Sequence, residues 1–377
     1  MKQKRILHVA FMALCLLTSY TTYGANKTQG QTEKPPDYPS LSKTLYIPDL
    51  KGTTIDKNAL TKNAVTDYKV KNSKTADQTK ALQEAIDDLA EQGGGNLILP
   101  AGKYPINGVY MRSNVHLLVD KNAVLRPYWG KKDVVNMFIF DAALKKGAKE
   151  DFSYTPILDH HTTYCAMSFS PSRVNNCDGW EISRPTNGLI SNCMITNACT
   201  GYGLCQLHGA RNVLFKNIAA IGGITLRLET GANSTIIGIY DIYGYNIYNT
   251  NGYTAVMFAP HLGQNGKVTI ENVTSISSEC AVAIGKGFFD RCAEGRGWDP
   301  KTTPLGVFSS ESKINNVTSI FGTHAQTMKK SLYRFEPDLY PLFKEINENG
   351  MPDLIGPSLA AVRDGSEGQC QIHSDTL

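Results

Sequence analysis

LISNCMITNACTGYGLCQLHGARNVLFKNIAAIGGITLRLET, residues 189–230, decides the fold. It holds two similar apolar strings, each with a central asparagine: Asn192 in LISNCMIT and Asn217 in LFKNIAA. The pattern returns as Asn272 in TIENVTSI and Asn316 in KINNVTSI. The intervals of 25, 55 and 44 residues read as one rung, two enlarged rungs and two rungs of 22. That is the length of one coil in a strand solenoid. At the end of the stretch, ITLRLET alternates, with Ile224, Leu226 and Leu228 on one side and Thr225, Arg227 and Glu229 on the other. Such a period of two marks a strand with one buried face. A β-sandwich would need two-residue hairpins, which are sparse here. The expected fold class is therefore all-β, a right-handed parallel β-helix.

Both ends of this solenoid carry helical patterns. DQTKALQEAIDDLAEQGGG, from Asp77, places Ala81, Leu82, Ala85, Ile86 and Leu89 on one helical face and stops at Gly93–Gly95. A helix there would cap the first open strand edge. DLYPLFKEINENG reads as a helical insertion near residues 338–349, with Asp338 as cap, Pro341 in the first turn and Gly350 as the stop. Before the fold, residues 1–25 have a basic start, a short apolar run and small residues up to Ala25, the form of an export signal. Residues 26–43 read as a polar linker, leaving 44–377 as a single β-helix domain. The apolar run is too short to span a bilayer, so a secreted protein without a transmembrane segment is expected.

The 38 Lys and Arg nearly balance the 34 Asp and Glu, and Lys2, Lys4 and Arg5 fall within the leader. Nothing in that balance calls for nucleic acid, although a local basic surface for an anionic ligand stays open. Beyond the leader the cysteines are Cys165, Cys177, Cys193, Cys199, Cys205, Cys280, Cys292 and Cys370, whose spacings match no zinc framework. Export permits a Cys280–Cys292 bridge, but buried thiols in a stacked core are the preferred reading.

Counting eleven residues back from the repeat asparagines reaches Glu181, Gln206 and His261, and Glu229 stands 23 residues after Gln206. With rungs about 4.8 Å apart, these four are expected to form one polar ladder on the outer face. His208 and Gly231 take the next outward position on two of the rungs. Arg227 shares the face of Glu229, and Lys286, Arg291 and Arg296 add cations suited to sulfate or carboxylate groups. Inverting glycosidases use two carboxyls about 6.5–9.5 Å apart. Same-face residues two apart on a strand are separated by about 6.6 Å, so a Glu-x-Asp pair would serve. Here the partner position is Gly231.

GGITLRLETG, preceded by Gln206 and followed by His261, resembles the iota-carrageenases, glycoside hydrolase family 82. The resemblance runs from the helix near Asp77 through PDLYPLFKEINENGMPDLIGPS to about Ser358. It implies a pectate-lyase-like right-handed β-helix that hydrolyses β-1,4 linkages of a sulfated galactan with inversion. Glu229 would be the general acid, Gln206 would help to hold the water, and His261 would lie beside the site. The family's base is an aspartate two residues after the acid, where this chain has Gly231. Glu181 and His208 are the alternative bases considered. Arg227, Lys286 and Tyr253 are candidate substrate-binding residues, Tyr253 as part of a tyrosine-rich run with Tyr240, Tyr243, Tyr245 and Tyr248. The chemistry requires no cofactor, and the resemblance is compatible with structural calcium or sodium. The expected partner is an anionic polysaccharide, met by a monomer.

Two other classes stay open. One is an inactive or weak carbohydrate-binding β-helix. The other is a polysaccharide lyase, in which Lys286 or Arg227 would abstract a proton beside a uronic carboxylate neutralised by calcium. No cluster of acidic ligands accompanies the column in the sequence. Asp159-His160-His161 invites a metal reading, but adjacent histidines on a strand point to opposite faces.

Overall fold

The computed structural model describes residues 58–128, 136–141, 166–170, 172–176, 179–230, 238–289, 299–348, 351–368, 370 and 372–374. The expected leader and linker, Asp159-His160-His161, Gly231, Arg291, Cys292 and Arg296 lie outside them. The chain opens with β1 (Thr61–Asn63), α1 (Thr79–Glu91), β2 (Gly95–Leu99), β3 (Gly102–Ile106), β4 (Val109–Tyr110), β5 (Val115–Val119) and β6 (Ala123–Pro127). There follow β7 (Phe138–Asp141), β8 (Met167–Ser170), β9 (Ser172–Asn176), β10 (Gly179–Ser183), β11 (Thr186–Leu207), β12 (Ala210–Glu229), β13 (Ile239–Thr250), β14 (Thr254–Ala259), β15 (Val268–Ile276) and β16 (Cys280–Gly285). The last strands are β17 (Lys313–Ile320), β18 (Ala325–Met328), β19 (Lys344–Glu348), β20 (Met351–Gly356) and β21 (Val362–Gly365).

Parallel pairing runs rung over rung, with β8, β11, β12, β14, β16 and β21 stacked in turn, and β11, β12, β13, β15 and β17 stacked beside them. This is the right-handed parallel β-helix expected from the repeat. One inward column runs Phe140, Phe169, Leu207, Leu228, Phe258 and Ile284 in direct register. The Phe140 and Phe169 rings stack at 4.4 Å. Each such side chain taken from water stabilises the stack by about 1.5–3 kcal/mol. At the N-terminal end, Leu82, Ala85, Ile86 and Leu89 of α1 are buried against Leu97, Leu99 and Tyr104, so the helix closes the first coil as its apolar spacing predicts.

The repeat asparagines do more than mark turns. Asn192, Asn217, Asn246, Asn272 and Asn316 all adopt left-handed φ values of 54° to 59°. Asparagine tolerates that conformation, and it bends the strand once per coil. Their amides form a continuous ladder, each Nδ2 donating to the Oδ1 of the rung before, at 3.0, 2.8, 3.1 and 3.1 Å. Along the stack these side chains satisfy one another. Asn246 divides the 55-residue interval into rungs of 29 and 26. The 44-residue interval is a single rung, because β15 pairs directly with β17.

The helix expected near residues 338–349 is not formed. Pro337–Leu342 makes a 3₁₀ turn, and Lys344–Glu348 is β19, paired antiparallel with β20. Pro341 cannot donate to a continuing helix, and the sequence between the two paired strands is Asn349-Gly350, a dipeptide suited to a two-residue hairpin turn. β18 joins them, and this small antiparallel sheet packs beside the coil. Cys280 is a buried thiol outside any disulfide, so it takes the buried-thiol reading rather than a bridge. Among the described residues, no helix is long and apolar enough to cross a membrane.

Candidate active site

Leu226 and Leu228 are wholly buried in the core, which turns Arg227 and Glu229 to the opposite face of β12. There Glu229 is surrounded by donors. Arg227 Nη2 lies 2.7 Å from Oε1 and 2.6 Å from Oε2. Gln206 Nε2 donates to Oε2 at 2.8 Å, and His261 Nε2 stands 3.1 Å from Oε1. The Glu229 side chain retains 16% of its exposure.

Three of the four expected ladder residues therefore converge, but not by the expected register. Gln206 pairs with Arg227, not with Glu229, and Arg227 in turn with Met257. Glu229 is two residues further along, level with Ala259 on the next rung, and Gln206 reaches it diagonally. His261 is two residues past Ala259, in a left-handed conformation with φ 46°, and turns its ring back toward Glu229. The count failed because rungs are unequal: register shifts between Ile195 and Gly203 take up additional residues in β11.

Glu181 leaves the ladder altogether. It belongs to β10, which pairs antiparallel with β9 in a separate two-stranded sheet, opposite Val174. The rung below Gln206 is supplied instead by Ser168. Eleven residues back from Asn192 the chain has passed out of β11 into β10, which pairs with β9 rather than with the coil. His208 follows Leu207, the partner of Leu228, so it stands level with Glu229 on the adjacent rung. It is 5% exposed.

Electrostatics set the charge of this group. Burial alone would push the Glu229 carboxyl upward. The Arg227 guanidinium, followed by the hydrogen bond and charge of His261, outweighs that and holds it far below the usual carboxylate range. Glu229 is thus an anion in the unliganded protein. Burial drives His208 the other way for a base, down to about 4, opposed by the charge of Glu229. At neutral pH its imidazole is uncharged.

The proposed substrate-binding residues separate. Arg227 is 11% exposed on its side chain and shares the Glu229 face. The Lys286 ammonium is engaged by Glu367 at 2.7 Å, at the surface. Tyr253 is 3% exposed, and its hydroxyl accepts from Arg334 Nη1 at 3.0 Å and Arg363 Nη2 at 3.1 Å. Those guanidiniums flank the wholly buried Glu279, so Tyr253 is a packing residue of an internal ion cluster rather than a platform for sugar rings. Tyr202 was not singled out in the sequence. Its ring lies 4.8 Å from the Arg227 guanidinium, a cation–π contact that no period or motif announces. Among the described residues, no group of three or more His, Cys, Asp or Glu is placed to hold a metal ion.

No protein-family model matches the sequence. An iota-carrageenase of Zobellia galactanivorans is 34% identical over 329 residues, which cover 76% of this chain and 65% of that protein. An iota-carrageenase of Alteromonas macleodii is 32% identical over 263 residues, 60% of this chain and 53% of that protein. The chain thus spans between half and two thirds of the length of these relatives. A solved 1,3-α-1,4-β-D-galactose-4-sulfate-3,6-anhydro-D-galactose-2-sulfate 4-galactohydrolase is 26% identical. It superposes with a TM-score of 0.64 over 92% of this chain and 90% of that one. In sequence and in the path of its coils, the chain is similar to the iota-carrageenases.

Proposed function

We propose that the protein is a glycoside hydrolase that cleaves β-1,4 linkages of a sulfated galactan of the iota-carrageenan kind, with inversion and with Glu229 as proton donor. The observation that carries this reading is the convergence of Arg227, Gln206 and His261 on one partly exposed carboxylate in a chain similar to the iota-carrageenases. An acid must hold a proton, and the free protein keeps Glu229 ionised. A sulfated substrate resolves the conflict: its negative charge competes for Arg227 and disfavours a second anion beside it, raising the affinity of Glu229 for a proton. Protonated Glu229 then gives its proton to the glycosidic oxygen as the bond to the anomeric carbon breaks. Water adds to that carbon from the opposite side and loses its proton to a base. Glu181 is set aside by its place on the hairpin. His208, neutral and level with Glu229, is the remaining candidate for the base, although burial weakens its basicity, with Gln206 beside it to orient water.

The second reading, a carbohydrate-binding β-helix, draws on Gly231, which offers no carboxyl where the family has an aspartate. Incubation with iota-carrageenan separates the classes. New reducing ends whose first-formed anomer is inverted support the hydrolase. Binding without release at high protein load supports the binding module, and an ultraviolet-absorbing unsaturated product establishes a lyase. Gly231→Asp should raise turnover severalfold or more if the missing carboxylate limits the rate, since a general base contributes about 10²–10⁴. We further infer export by the leader and action as a monomer on the extracellular polysaccharide.

A further inference from the structure

The extra residues of β11 that spoil the rung count form a cradle for Arg227. Gly201 O accepts from Arg227 Nη1 at 2.5 Å, and Tyr202 supplies the ring beneath the guanidinium. This stretch lies directly on the bend at Gly222–Gly223 within β12, just ahead of Arg227 and Glu229. A Cβ on Gly223 would come within 1.9 Å of Tyr202 O, one on Gly222 within 2.3 Å of Ala198 O, and one on Gly203 within 1.8 Å of Ile224 O. Gly222 and Gly223 also have φ of 82° and 55°, so the GG of GGITLRLET is required both for the turn and for the close approach. One side chain from the small antiparallel sheet fastens the two layers. Gln326 of β18 accepts from Gly223 N at 2.5 Å through Oε1 and donates from Nε2 to Ala198 O at 3.1 Å. It is 6% exposed, and with both amide groups engaged its orientation is fixed. Two residues on, Met328 covers Gly201, its Cε 2.9 Å from where a Cβ would stand.

We propose that Gln326 is a positioning residue for catalysis: it pins the 198–203 cradle to the Gly222–Gly223 turn, and so holds Arg227 against Glu229. The sheet formed by β18, β19 and β20 is then part of the active-site machinery, although it contributes no group to the reaction. The inference rests on the reading of Glu229 as the proton donor. Its test reads the carboxylate directly. Gln326→Met keeps the side-chain volume and removes both hydrogen bonds. In the unaltered protein, the ¹³C signal of the Glu229 carboxyl should stay at its ionised position from about pH 3 to 8, since Arg227 holds it down. In Gln326→Met a titration step should appear within that range, and kcat on iota-carrageenan should fall about tenfold with little change in KM. Arg227→Lys, which leaves the pin intact but cannot reach Gly201 and Glu229 together, should produce the same step. A folded Gln326→Met whose Glu229 signal and pH–rate profile match the unaltered protein overturns the proposal, whatever its melting temperature. Activity retained in Glu229→Gln would instead overturn the reading of the acid, and leave the titration result to judge the pin alone.

Discussion

Arg227 is the residue on which the chemistry of the site turns. It is the largest influence lowering the Glu229 pKa, and it shares the outer face of β12 with that carboxylate. Arg227→Ala should lower kcat/KM on iota-carrageenan by about 10²–10³. It should also move the acidic limb of the pH–rate profile, which steady-state assays across pH will show. His208 makes a separate prediction about stability. The folded protein holds it near 4, against 6.5 in an unfolded chain. Between those values the unfolded state binds a proton that the native state refuses, so its stabilising contribution is complete above 6.5 and is lost as pH falls toward 4. His208→Gln should flatten that part of the stability curve by up to about 3 kcal/mol, as measured by denaturation at a series of pH values. Glu229 acts at lower pH: its contribution is present above the ordinary carboxylate range and is lost only as pH falls below it.

At the scale of elements, the asparagine ladder and the capping helix are the parts the chain cannot lose cheaply. Asn246 donates to Asn217, accepts from Asn272 and sits at φ 56°. Asn246→Ala should cost about 2–4 kcal/mol, through two lost hydrogen bonds and a strained left-handed alanine; Asn246→Gly should cost less, because only the bonds are lost. Ile86→Ala should cost about 2–5 kcal/mol by leaving a cavity under α1. Urea titrations of the three variants test both. These elements were legible in the sequence because their signals are local: a period of 3.6 before three glycines, and an asparagine recurring between apolar pairs. The insertion at 338–349 misled for the same reason, since a capping residue, a proline and a terminal glycine fit a helix as well as they fit a 3₁₀ turn and a hairpin. Pairing with β20 decided it, and pairing is not a local property.

For the whole molecule, the β-helix and the position of Glu229 on its outer face could be read from alternation in ITLRLET. The partners of Glu229 could be named but not placed. Gln206 and His261 were reached through a register that does not exist, and they contact Glu229 because long side chains span a two-residue offset. Tyr202 and Gln326 gave no signal at all, since their roles depend on a widened coil and on a sheet more than 100 residues away in sequence. A solenoid with unequal coils allows the backbone excursions that build a site, and those excursions are what defeat counting. In the proposed function, Glu229 donates the proton that breaks a linkage in a sulfated galactan. Reducing ends released from iota-carrageenan by the unaltered protein and by Glu229→Gln, at equal polysaccharide binding, test it most directly. Release by the first and none above background by the second is expected; equal release by both would rule Glu229 out as the proton donor.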